Sequence, residues 1–268
     1  MKRREFIVSS AAASGGLALG MQFPLVASAQ SKAASDAGAE VNIWVVVKPD
    51  DTCVIRIARS EMGQGTRTGL AQLVAEELEC DWKKVTTESI TAGQNLATNR
   101  AWGEMGTGGS RGIRTSQDYV RRGGAAARIM LLQAAANQWA VPVGELSVTD
   151  GVITHAASKR AIRYGQVAAV AAQLPAPDLK SIKLKEPKDW KVAGKPLKRL
   201  DTLDKLTGKQ VYGADLKLPG MLTAAIKDCP VQGGKIKSFD AAKIANMPGV
   251  KKVVQVGDSG VAVVADTW

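Results

Sequence analysis

The chain has 268 residues, 45% of them apolar, and a formal net charge of +11, enough for one large or two small domains with real cores. Its three cysteines, Cys53, Cys80 and Cys229, are scattered, so the chain houses no iron–sulfur centre, which needs four thiolates in near-local groups. His155 is the single histidine; no second metal ligand stands near it, which makes it a surface residue rather than a ligand or catalyst.

Lys2-Arg3-Arg4-Glu5 precedes an apolar stretch broken by Ser9, Ser10, Ser14, Gly15, Gly16 and Gln22. The stretch is too polar for a comfortable membrane span, and Ala27-Ser28-Ala29 fits a signal-peptidase site. Residues 1–29 therefore read as a twin-arginine export signal, with a retained N-terminal anchor as the alternative. The expected location is periplasmic, reached in the folded state. Residues 30–40 are small and polar and read as a disordered spacer.

A strand covered on both faces is predicted over 41–47, turning through Lys48-Pro49-Asp50-Asp51 into a second strand over 53–58. Ser60-Glu61-Met62-Gly63-Gln64-Gly65-Thr66 follows, between that strand and a helix predicted over 68–78 with Leu70, Leu73, Val74 and Leu78 on one face. Gly63 and Gly65 allow backbone conformations closed to other residues, and Gln64 carries one acceptor and two donors at the point of closest approach to a ligand. The helix aims the positive end of its dipole at the same place. One Gly-x-Gly turn is weak evidence and serves equally as a tight turn. A second, Gly103-Glu104-Met105-Gly106-Thr107-Gly108-Gly109-Ser110-Arg111-Gly112, also leads into a helix and ends in a hydroxyl and a guanidinium, both phosphate-binding groups. Two such loops suggest a ligand with more than one anionic group.

Between the loops a strand is predicted over 85–90, and 92–112 lacks periodicity, as binding segments do. The longest helix, over 113–139, places Ile129, Leu132, Ala136 and Trp139 at helical spacing and has an alanine-lined face suited to close packing. A hairpin through Asp150-Gly151 and a small helix over 164–173 close a first domain at 41–175. Residues 176–206 are lysine-rich. They read as a basic linker or as an extended arm wrapped over a surface, its charge either simply solvated or facing an acidic partner. Nucleic acid does not fit: aromatic interleaving is sparse, no binding motif is present, and export removes the chain from it. From 207 to 268, strands are predicted over 210–212, 221–227, 250–256 and 261–265, with a helix over 239–246 capped by Ser238. The chain stops on a strand of buried type, which reads as a truncated reading frame or the first piece of a split subunit.

Glu61-Met62-Gly63-Gln64-Gly65-Thr66, Gly69-Leu70-Ala71-Gln72-Leu73-Val74-Ala75-Glu76-Glu77-Leu78 and Thr107-Gly108-Gly109-Ser110-Arg111 together resemble the molybdopterin-binding large subunit of the xanthine dehydrogenase and aldehyde oxidase family, in its isoquinoline 1-oxidoreductase beta branch. The resemblance covers nearly the whole mature chain. It implies a molybdopterin-binding-type α/β domain followed by an incomplete hammerhead-type α/β domain, the latter on Leu218-Pro219-Gly220-Met221-Leu222 and Met247-Pro248-Gly249-Val250.

It further implies a molybdenum hydroxylase that oxidises an N-heterocycle or aldehyde with water as the oxygen source. The cofactor would be molybdopterin cytosine dinucleotide, and a small iron–sulfur partner subunit would carry the clusters. Gly63, Gln64, Gly65, Thr66, Gly108, Gly109, Ser110 and Arg111 would cradle the cofactor, unless one of the two turns only shapes the fold. No catalytic residue is assigned: Gly103-Glu104-Met105-Gly106 has the letters of the family's Gly-Glu-x-Gly base but lies in the wrong part of the chain. A non-catalytic exported binding or scaffolding module with the same fold is the other reading.

Overall fold

The computed structural model describes residues 38–268; the export signal read at 1–29 lies outside them. The fold is α+β and divides into two compact units, the first ending at Leu203 and the second running from Asp204 to Trp268.

The first unit begins with β1 (Ala39–Asn42), β2 (Val45–Val47) and β3 (Cys53–Ile57), so the end of the expected spacer is a strand and the expected strand over 41–47 is a hairpin. The cause is Asn42, whose Oδ1 accepts from the amides of Trp44 at 2.9 Å and Val45 at 3.1 Å. That side chain offers the backbone a turn in place of a continued ladder. From β3 the chain crosses through α1 (Thr66–Leu78) to β4 (Val85–Ser89), which pairs parallel with β3; the other pairs in this four-stranded sheet are antiparallel. Leu70, Leu73, Val74 and Leu78 are all buried, and each such side chain contributes about 1.5–3 kcal/mol.

The segment expected to be wholly irregular contains α2 (Ala92–Ala97) and α3 (Arg111–Arg114), and the long helix α4 runs Gln117–Trp139. Its alanine-lined face is buried as expected, Ala136 included, and Leu132 and Trp139 pack partly buried against the core. Ile129 is exposed, whereas Val120, Gly123, Gly124, Ala127, Met130, Leu131, Ala134 and Ala135 are buried. Small residues set this face because α4 packs at backbone distance. A Cβ on Gly124 would sit 2.4 Å from the Val74 carbonyl oxygen of α1, and one on Gly123 2.4 Å from the Trp44 ring.

Beyond α4 lies an antiparallel meander of β5 (Leu146–Thr149), β6 (Val152–His155) and β7 (Arg160–Arg163), followed by α5 (Tyr164–Ala171). Asp150 and Gly151 both have positive φ, as a tight hairpin turn requires. The fully buried Tyr164 fastens this module to α1 by donating its hydroxyl to the Leu78 carbonyl at 2.7 Å.

In the second unit β10 (Gly260–Ala265) is the centre of a three-stranded antiparallel sheet between β8 (Thr223–Asp228) and β9 (Val250–Val256), with a short helix α6 at Ala242–Ala245. The strand expected over 210–212 is absent, and Gly213–Asp215 is instead a single 3-10 turn. Gly260 and Ala262 are the buried residues of this unit, while Ile226, Phe239, Met247 and Val256 are exposed.

Candidate cofactor-binding loops

The two glycine-rich loops meet in the first unit, held together by a residue with no signature in the sequence. Arg59, at the end of β3, is 3% exposed. Its Nη1 donates to the Gly106 carbonyl, its Nε to Ser116 Oγ at 3.0 Å and its Nη2 to Thr115 Oγ1 at 3.0 Å. The Ser60 amide adds a bond to Thr107 Oγ1 at 3.0 Å. Thr66 and Gly112 then bring the two helix starts together: Thr66 is buried, and a Cβ on Gly112 would lie 2.9 Å from its Oγ1. Thr66 is therefore a contact between the loops.

Loop 1, residues 60–66, has the expected left-handed glycines, with φ of 100° at Gly63 and 87° at Gly65. Its amides, however, already have an anion. Glu61 Oε1 accepts from Gly63 N at 2.7 Å and Gly65 N at 3.0 Å, and Oε2 accepts from Arg67 N at 3.0 Å. Burial opposes ionisation of this carboxyl, but the three amides and the Arg199 guanidinium outweigh it and hold its pKa below the ordinary value. Gln64 is also folded inward. Its Oε1 accepts from Met62 N at 2.6 Å and its Nε2 donates to Ser60 O at 3.0 Å, so the expected reach toward a ligand gives way to a bond that closes the turn. A carboxylate one residue before an amide-rich turn was the available signal.

Loop 2, residues 103–112, is different. Asn95 braces its start, donating Nδ2 to Gly103 O at 2.9 Å, and Arg111 pairs with Glu104 at 2.8 Å. Among the described residues no acceptor takes the amides of Gly108, Gly109 or Ser110. A Cβ on Gly108 or Gly109 would meet nothing within 4 Å. Ser110 holds a left-handed φ of 56°, which turns the chain into α3. Loop 2 thus presents donors, open space and a half-exposed guanidinium, the chemistry that an anionic ligand requires.

In comparison with known proteins, residues 4–214 match the family model for the molybdopterin cofactor-binding domain. The chain belongs to that family. Its relatives include the beta subunit of isoquinoline 1-oxidoreductase from Brevundimonas diminuta, 31% identical over 98% of this chain and 38% of that protein. The membrane-bound aldehyde dehydrogenase (pyrroloquinoline-quinone) of Gluconacetobacter polyoxogenes is 29% identical over 96% of this chain and 33% of its own length. A nicotinate dehydrogenase subunit of Pseudomonas putida is 30% identical over 85% of this chain and 19% of its own length. The chain therefore spans well under half the length of these curated relatives. The resemblance to a molybdopterin-binding subunit of the xanthine dehydrogenase family, read from the loop motifs, holds.

In this molybdopterin cofactor-binding domain the lysine-rich segment is a strap laid along α1. Glu76 Oε2 accepts from the amides of Lys191 at 2.8 Å, Val192 at 2.6 Å and Ala193 at 3.1 Å. Glu77 pairs with Arg121 at 2.7 Å and accepts from Lys185 N at 3.2 Å. Both carboxylates are buried. At its far end the strap reaches loop 1 through Arg199, which Asp201 holds on two oxygens.

The remaining candidates lie away from the loops. His155 is 5% exposed rather than on the surface, bonded to Glu145 at 2.9 Å and Ser158 at 2.7 Å. It is the last residue of β6, the central strand of the meander, where both ring nitrogens find partners. No group of metal-ligating side chains occurs among the described residues. Cys53 and Cys80 are buried free thiols and Cys229 is half-buried and free. Glu104 is half-exposed and paired with Arg111.

Proposed function

We propose that this chain is the cofactor-cradling N-terminal part of the large subunit of a periplasmic molybdenum hydroxylase that oxidises an N-heterocycle or an aldehyde with water as oxygen source. The observation that carries this is the open loop 2, tied to loop 1 by Arg59 in a chain of the molybdopterin cofactor-binding family. Gly108, Gly109, Ser110 and Arg111 would hold anionic groups of molybdopterin cytosine dinucleotide. Gly63, Gln64, Gly65 and Thr66 would shape the adjoining wall, with the Gly63 and Gly65 amides engaged by Glu61. When bound, that group supplies the redox chemistry, and the protein supplies position and electrostatics. The clusters that take the electrons would reside on a small iron–sulfur subunit, and the remainder of the large subunit would line the substrate pocket. The relatives' names support the substrate classes.

The occupied amides of loop 1 favour a second reading, an exported binding or scaffolding module that keeps the fold without the reaction. Purification of the exported complex, followed by assay of molybdenum and of cytidine nucleotide released by acid, separates the two. The first reading expects about one of each per large subunit, reduced at least tenfold by Arg111→Ala, a change of more than about 1.4 kcal/mol in binding. A complex without molybdenum would overturn it.

A further inference from the structure

The tip of loop 1, residues 62–65, is not held by packing. Met62 is 67% exposed, a Cβ on Gly63 would meet nothing within 4 Å, and the nearest such contact for Gly65 is Arg199 Nη1 at 3.8 Å. Its shape therefore depends on polar bonds: Gln64 ties Met62 to Ser60 from within, and the others converge on one carboxylate and one guanidinium. Glu61 gathers the amides from inside the turn. Arg199 arrives from the strap, donating Nη1 to the Gly63 carbonyl at 2.7 Å and Nη2 to Glu61 Oε1 at 3.1 Å. Asp201 takes Nε at 2.9 Å and Nη2 at 2.8 Å, which orients the planar fork. Next to it the Leu200 amide donates to Thr68 Oγ1 at 3.1 Å, and Thr68 is itself buried in α1.

We propose that Arg199 is a positioning residue for loop 1, a clasp at the end of the strap that fixes the Gly63–Gly65 turn by holding both Glu61 and the Gly63 carbonyl. The strap is rooted on Glu76 and Glu77 at the other end of the same helix. Docking of the strap and ordering of the loop are thereby one event. The consequence for cofactor retention rests on the functional reading above; the effect on the loop does not.

Hydrogen exchange on the full exported complex tests this, comparing the amides of Gly63, Gly65 and Arg67 with those of the buried stretch of α4. Arg199→Met is expected to speed exchange at the three loop amides by about tenfold or more while α4 keeps its protection. Arg199→Lys, which lacks the fork, should restore only part of it. Unchanged loop exchange in Arg199→Met would overturn the proposal. If that variant lost α4 protection as well, Asp201→Asn provides the comparison: acceleration confined to the loop supports the clasp, and none overturns it. Molybdenum content is read in the same samples. A loosened loop with full molybdenum supports the clasp and removes loop 1 from the cofactor site; a loosened loop with molybdenum lost supports both.

Discussion

Arg59 donates to the carbonyl of Gly106, 47 residues further along the chain, and this bond makes two separate glycine turns into one site. Arg59→Met would leave the Gly106 carbonyl and the Thr115 hydroxyl without this donor and take from the buried Ser116 hydroxyl one of its two, Tyr119 supplying the other. Gly106 and Thr115 lie at the surface, where water can replace the donor, so each lost bond costs about 0.5–1.5 kcal/mol. A loss of about 2–4 kcal/mol in urea unfolding is expected, together with faster proteolysis in residues 103–112. A change below about 0.5 kcal/mol would show that the loops do not depend on this tether.

Glycine substitutions should divide sharply by what a methyl group would meet. Gly124→Ala drives a Cβ to 2.4 Å from the Val74 carbonyl, and overpacking of this kind costs about 1–3 kcal/mol or more. Gly108→Ala adds its methyl to open space and should stay within about 0.5 kcal/mol of the parent. Its expected effect is on molybdenum content alone, read by metal analysis beside a melting curve.

The strap should come loose in acid. Burial raises the pKa of Glu76, but the amides of Val192, Ala193 and Lys191 and the Lys185 ammonium more than reverse this, leaving it below its ordinary 4.5. A depressed carboxyl contributes stability that is fully present above the unfolded value and lost as pH falls through the native one. Proteolysis of residues 185–201 should therefore be slow at neutral pH and rise progressively below about pH 4. Glu76→Ala should show the fast cleavage already at neutral pH, with a cost of about 3–5 kcal/mol for stranding its partners.

Tyr164→Phe removes one buried bond, the 2.7 Å contact to the Leu78 carbonyl, and leaves the ring in place. A loss of about 1–2 kcal/mol is expected in equilibrium unfolding with molybdenum content unchanged. A drop in metal would connect this end of α1 to the loops at the other.

The elements set by periodicity and turn chemistry were legible from residues alone. The apolar stripe of α1 and the Asp150-Gly151 turn follow from local rules. What stayed hidden depends on partners distant in sequence. The Asn42 side chain that splits the first strand also donates to Gly123 O, 81 residues away. Gly123 and Gly124 look like helix breakers until Trp44 and Val74 are beside them. The loop glycines were recognisable, but not that Glu61 would take their amides, since a glutamate in such a turn reads equally as a solvated charge. The lysines between 180 and 209 announce positive charge without disclosing that two buried glutamates lie beneath them.

The second unit, with Gly260 and Ala262 alone enclosed, sets the order in which the molecule would be dismantled in a cell. Among the described residues β8 and β9 are the outer strands of this three-stranded ribbon, so little packing slows its opening, and its apolar side chains are what quality-control proteases and chaperones recognise. A pulse-chase should therefore record cleavage within residues 204–268 before cleavage within α4.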